Sequence, residues 1–229
     1  MKKLITSVAI LGAMFAGNVF AQTETSGREK VYRATPTKLT ELKHTKLKVN
    51  FDYQKEQMNG EEWLTASPFF YATNELILDA KGMLIHDVAL DNNGKKTPLK
   101  YDYKDDVLKI NLDKTYSKNQ NYTVYIKYTA RPNEVKQEGS QAISDAKGLY
   151  FINAQGTDPD KPTQIWTQGE TESSSAWFPT IDKSIQKTTQ EIYMTVPDKY
   201  VTLSNGILKD SKKESKNMRT DHWVMDKRH

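Results

Sequence analysis

Asn121-Tyr122-Thr123-Val124-Tyr125-Ile126-Lys127-Tyr128 decides the fold class. The run is rich in β-branched and aromatic side chains, which suit a pleated, half-buried surface. Tyr122, Val124, Ile126 and Tyr128 recur at a spacing of two, the period of a strand and not of a helix. A strand is therefore expected over residues 122–130. The same period returns at Thr45-Lys46-Leu47-Lys48-Val49-Asn50-Phe51. Further strands are expected over residues 63–72, 74–79, 83–90, 98–103 and 107–112. Toward the C-terminus, Gln190-Glu191-Ile192-Tyr193-Met194-Thr195-Val196-Pro197 reads as another, followed by strands over 200–204 and 219–225. Asn59-Gly60, Lys81-Gly82, Asn92-Asn93-Gly94, Lys104-Asp105-Asp106 and Asn205-Gly206 supply the residues that tight connections need. The mixed charges of residues 209–216 read as a solvated hairpin loop. No long helical periodicity occurs after residue 21. The expected fold is all-β, a β-sandwich or a curved pair of sheets, mostly antiparallel.

The N-terminus sets the expected compartment. Met1-Lys2-Lys3 is a short basic segment, residues 4–20 are apolar and small, and Val19-Phe20-Ala21 is a small-x-small cleavage pattern. Residues 1–21 read as a signal peptide, cut before Gln22, so the product is expected to be secreted or periplasmic without a stable membrane anchor. Residues 22–38 are polar and short of aliphatics, a flexible linker. The chain contains no cysteine, which excludes disulfides and thiolate metal ligands. The formal net charge of +4 is spread over interspersed Lys, Arg, Asp and Glu, so no basic stripe suited to nucleic acid forms.

Two longer loops, residues 131–147 and 151–163, lead into the least strand-like stretch. It runs Gln164-Ile165-Trp166-Thr167-Gln168-Gly169-Glu170-Thr171-Glu172-Ser173-Ser174-Ser175-Ala176-Trp177-Phe178-Pro179-Thr180-Ile181-Asp182-Lys183. Gly169 permits a backbone excursion between two polar side chains. Gln168 and Glu170 are the candidate binding residues: a carboxylate accepts hydrogen bonds from an ammonium, and an amide orients a ligand beside it. Trp177, Phe178 and Pro179 read as packing residues. An ordinary surface loop with core aromatics is the plainer reading of the same residues.

Thr167-Gln168-Gly169-Glu170, with Trp177-Phe178-Pro179 and Asp182 after it, resembles the Thr-Gln-x-Glu … Phe-Pro-x-x-Asp-x-Pro signature of the M1 zinc aminopeptidases (gluzincins), which include aminopeptidase N and leukotriene A4 hydrolase. Leu42-Lys43-His44-Thr45-Lys46-Leu47 resembles the family's opening strand, and Ile77-Leu78-Asp79-Ala80-Lys81-Gly82-Met83 its Leu-Asp-Ala turn. Tyr125 to Ala130, Lys147-Gly148-Leu149-Tyr150-Phe151, Val196-Pro197 and Leu203-Ser204-Asn205-Gly206 follow in family order. Ser184 stands where the signature has a second proline.

The resemblance implies residues 39–229 are a saddle-shaped N-terminal β domain covering one side of an active-site cavity. It implies that Glu170 holds the free α-amine of a peptide N-terminus and that Gln168 lines the pocket for the first side chain. Zinc in such enzymes is held by H-E-x-x-H and a later Glu. The histidines here are His44, His86, His222 and His229, no two of them four apart. The expectation is therefore that zinc serves the family's full-length enzyme, that this chain binds none, and that alone it is inactive. Association with a catalytic domain is the expected partnership, and a final strand is expected to be missing after residue 229. Two other classes stay open on the residues alone: a stand-alone β-sandwich binding glycan or protein through Trp63, Trp166 or Trp177, and a hydrolase using Glu170, Glu172 and Asp182 as acid and base.

Overall fold

In the computed structural model, residues 37–135, 146–215 and 217–229 are described. The expected signal peptide, nearly all of the linker and part of the 131–147 loop lie outside them. Among the described residues the strands are β1 (Thr40–Asp52), β2 (Gln57–Pro68), β3 (Thr73–Asp79), β4 (Met83–Asn92), β5 (Lys95–Pro98), β6 (Lys100–Lys104), β7 (Val107–Tyr116), β8 (Tyr122–Ala130), β9 (Leu149–Ile152), β10 (Gln164–Thr167), β11 (Thr189–Pro197), β12 (Ile207–Ser215) and β13 (Met218–Met225). Short 3-10 turns occupy Pro132–Glu134 and Ser174–Ala176. No helix among these residues is long and apolar enough to cross a membrane.

One eight-stranded sheet has the order β12-β13-β11-β1-β2-β8-β4-β5; a three-stranded sheet runs β3-β7-β6; β9 and β10 form a separate pair. The pairing is antiparallel except between β1 and β11, which run parallel with Leu47 opposite Ile192 and Val49 opposite Met194. The fold is thus all-β and mostly antiparallel, as the period-two runs require.

The core forms because alternate residues share a face. Tyr122, Val124, Ile126, Tyr128 and Ala130 of β8 are all buried, as are Leu64 and Ala66 of β2 beside them. Leu76, Leu78, Leu108 and Ile110 of the smaller sheet are buried to 1% or less. Each such aliphatic side chain contributes roughly 1.5–3 kcal/mol by leaving water.

Three local readings of the sequence are corrected. Asn59-Gly60 is not a turn: it lies inside β2, and the connection is made at residues 53–56 with Glu56 at φ +53°. Gly60 serves the core instead. A Cβ there would stand 2.2 Å from the Tyr128 ring, so the missing side chain is the space Tyr128 fills. Of the expected loop 209–216, residues 209–215 belong instead to edge strand β12, whose lysines face solvent as edge strands require, and residue 216 lies outside the described residues. Residues 200–204 form no strand: residue 200 is a bend, and side chains tie the segment to β13, with the Arg219 guanidinium donating to the Tyr200 carbonyl (2.6 Å), the Thr202 hydroxyl to Asp221 (2.7 Å) and the Trp223 indole to the Thr202 hydroxyl (3.0 Å). The remaining turns match, with Asn93, Asp105, Asp106, Gly82, Gly94 and Gly206 all at positive φ.

Candidate functional site

The site begins where β10 ends. Past Thr167, the Gln168 amide donates to the Gly148 carbonyl at 2.9 Å, which carries the β9–β10 ladder one step further. The chain then folds back on itself. The Ser173 amide donates to the Gly169 carbonyl (3.0 Å), and the Ser173 hydroxyl to the Glu170 carbonyl (3.3 Å). The peptide bond between Glu170 and Thr171 is cis. A Cβ at Gly169 would come within 2.8 Å of the Ser174 hydroxyl, which would have to turn aside.

Asp79 and Lys81, about a hundred positions earlier, clamp the loop from below. Asp79 and Thr180 exchange backbone hydrogen bonds at 2.7 and 2.9 Å. The Asp79 carboxylate accepts from the Asp182 amide (3.0 Å), and the Asp182 carboxylate accepts from the Ser175 amide (2.8 Å). Lys81 donates its amide to the Ser175 carbonyl (2.7 Å) and its ammonium to the Glu172 carbonyl. Lys183 pairs with the Glu172 carboxylate at 2.5 Å, and that hydrogen bond raises the Lys183 pKa. Ser173, Ser175 and Ala176 are buried beneath the turn.

Gln168 and Glu170 are brought together. Gln168 is half-buried, and its side-chain oxygen accepts from the Glu170 amide at 3.3 Å. Glu170 is exposed, and among the described residues no hydrogen bond or ion pair engages its carboxylate. Glu172 and Asp182 are occupied within the scaffold, so the acid–base hydrolase reading loses two of its three carboxylates. Sequence reasoning missed Asp79 and Lys81 as supports of this turn. The Leu-Asp-Ala resemblance marked the place, but only the fold shows what it holds.

Substituting Asp182 by alanine removes the acceptor for a backbone amide in a partly buried turn. It is expected to destabilise the domain by about 1–3 kcal/mol, with Asp182→Asn losing less because an amide oxygen still accepts. Urea unfolding of the three proteins at neutral pH checks this; equal midpoints would refute the clamp.

The tryptophans do not form a shared platform. Trp63 lies on the outward face of the large sheet, its indole N–H donating to Asp91 (3.0 Å), with Lys46, Lys48 and Lys96 over the ring. Trp177 packs on Phe178 against the core. Trp166 is 45% exposed and stacks on Tyr150 with ring centres 4.4 Å apart.

The His222 ring N–H donates to the Glu191 carboxylate at 2.7 Å, and His44 lies 3.6 Å from the same carboxylate. Even so, no three His, Asp or Glu side chains among the described residues converge as metal ligands. These residues do not fit a zinc site.

Against known families, residues 41–229 match the model of the peptidase M1 N-terminal domain. The chain belongs to the M1 peptidase family. Its described part is the M1 N-terminal β domain, and solved structures share the fold. An M1 zinc metallopeptidase from Deinococcus radiodurans superposes with a TM-score of 0.67 at 14% identity, over 82% of this chain and 39% of that one. A two-domain M1 zinc metallopeptidase mutant bound to L-arginine gives 0.69 at 13%, over 86% and 41%. A Deinococcus radiodurans mutant bound to a Tyr-Ser-Ala substrate gives 0.65 at 12%, over 86% and 41%. The M1 domain described here thus spans about two fifths of the solved chains it matches.

Proposed function

We propose that this M1 domain anchors the free N-terminus of a peptide within a zinc aminopeptidase. Glu170 binds the α-ammonium, and Gln168 lines the pocket for the first side chain. The zinc and the hydrolytic water belong to a catalytic domain, for which this sequence carries no H-E-x-x-H segment. The observation that carries the reading is the state of the loop carboxylates. Glu172 and Asp182 are taken up internally, while Glu170 is exposed and unengaged on a braced turn. A carboxylate held at a fixed place measures one residue from an amine, because a charge-assisted bond is short and strong. Export by residues 1–21 is part of the proposal. N-terminal sequencing of the exported protein is expected to begin at Gln22.

Two measurements test the anchor. Residues 1–229 alone, with or without added zinc, are expected to leave aminoacyl anilides intact. In the polypeptide that joins this domain to a zinc-bearing catalytic domain, Glu170→Gln is expected to lower kcat/KM by roughly 10–100-fold, the worth of one hydrogen bond between charged groups. Hydrolysis by the isolated chain that survives Glu170→Gln, or an unchanged kcat/KM in the joined enzyme, overturns the proposal.

A further inference from the structure

A groove of about 590 Å³ opens beside the β9–β10 pair, on the inner face of the large sheet. Its floor and its walls are built differently. Val49 and Phe51 of β1 line it, and so do Ile192, Met194 and Val196 of β11. These are alternate residues, so both strands present a face, and that face is apolar. Two segments line it with consecutive residues, all of β10 and all of 199–204, and we call these its walls. An element that lines a groove with every residue is seen edge-on.

Both edges have unused backbone groups. Among the described residues, strand β10 pairs only with β9. Residues 201–204 contain no turn or bend and, among the described residues, make no backbone–backbone hydrogen bond, while Val201 and Leu203 are 94% and 84% exposed. An apolar floor between two strand edges is complementary to one kind of occupant. That occupant has N–H and C=O groups on both sides and aliphatic side chains at every second residue beneath. A small molecule or a helix would satisfy the floor and leave both walls unpaired.

We infer that this groove accepts one extended polypeptide strand by β-augmentation, bonded to β10 on one side and to residues 201–204 on the other. The inference does not rest on Glu170 or on recognition of an amine.

The test uses the chain 1–229 and the peptide acetyl-Lys-Thr-Val-Thr-Ile-Thr-Val-Thr-Lys-amide, whose blocked N-terminus cannot engage an amine site. Saturable binding is expected from tryptophan fluorescence, because Trp166 and Trp177 both line the groove. Hydrogen exchange is expected to slow at 164–167 and at 201–204 together on peptide addition. Met194→Glu, which puts a charge on the floor, is expected to abolish binding. If that variant fails to fold, the ligand supplies the control: ester linkages in place of two central amides are expected to weaken binding at least about tenfold, through two lost backbone donors. Absence of saturable binding, protection of neither wall or only one, or equal binding of the ester analogue overturns the inference. A chain that dimerises through this face and is not dissociated by the peptide overturns it in favour of a second copy.

Discussion

Gly148→Ala is expected to cost the domain about 2–5 kcal/mol and to unseat the turn that carries Gln168 and Glu170. Two effects add. Gly148 sits at φ +70°, where a side chain costs roughly 1–2 kcal/mol. A Cβ there would also stand 2.1 Å from the Ser173 carbonyl oxygen and 2.7 Å from the Ala176 Cβ. Ser173 is buried and backbone atoms cannot swing aside like a long side chain, so the loop must move. Movement of Ser173 breaks its bonds to Gly169 and Glu170, which give the turn its shape. Gly94→Ala separates the two effects. Gly94 has φ +91°, but a Cβ there meets nothing within 4 Å, so only the conformational cost of roughly 1–2 kcal/mol applies. Urea unfolding of both variants, with comparable m-values, measures the difference. A Gly148→Ala protein no less stable than Gly94→Ala would show that the close approach to Ser173 is not a constraint.

Glu62→Met is expected to raise stability at pH 8 by about 2–4 kcal/mol and to remove a loss that the native protein suffers as pH rises. Glu62 sits on the inner face of β2, fully buried, with no hydrogen-bond partner for either carboxylate oxygen among the described residues. Burial pushes its pKa well above the ordinary 4.5, so the folded protein keeps the proton longer than the unfolded chain does. Above about pH 4.5 the unfolded chain therefore holds fewer protons, and stability falls with rising pH until the folded-state pKa is passed. Methionine has no proton to lose. The acid side is governed by carboxylates whose pKa is shifted the opposite way, downward. Lys43 and Arg228 hold Glu41 at about 2, and for Asp221, despite its burial, bonds from Arg219, Ser211 and Thr202 keep the pKa low. These give up stability as pH falls, in both proteins alike. Thermal unfolding from pH 4 to 9 is expected to show a declining limb in the native protein and a plateau in Glu62→Met. Parallel curves for the two would mean that Glu62 ionises in the folded state at no cost.

The strands were legible wherever the two sides of a sheet face different media. Tyr122, Val124, Ile126, Tyr128 and Ala130 recur at every second place because their face meets the core, and the bounds of β8 follow from the sequence alone. Reading failed where a residue's role depends on a neighbour distant in the chain. Gly60 resembles a turn glycine until Tyr128 is laid over it. Residues 207–215 carry loop-like charge because they form an edge, and an edge is a property of the sheet order. The candidate site divides in the same way. Gln168 and Glu170 were marked by a short contiguous motif. Their bracing by Asp79 and Lys81 was not, since no local pattern links residues about a hundred apart.

The parallel pairing of β1 with β11 has a consequence for the order in which the domain assembles. During synthesis β1 finds β2 almost at once, across a turn of four residues. Its other edge must wait for residues 189–197 to leave the ribosome, on the order of ten seconds at typical elongation rates. For that interval a nascent chain carries an unprotected strand edge bearing Leu47, Val49 and Phe51. Lys43, Lys46 and Lys48, spaced along the same strand, are the charges that keep such an edge from pairing with its neighbours. Those lysines, which in the finished domain pair with Glu41 and Glu191 and lie over the Trp63 ring, have an earlier use before the chain is complete.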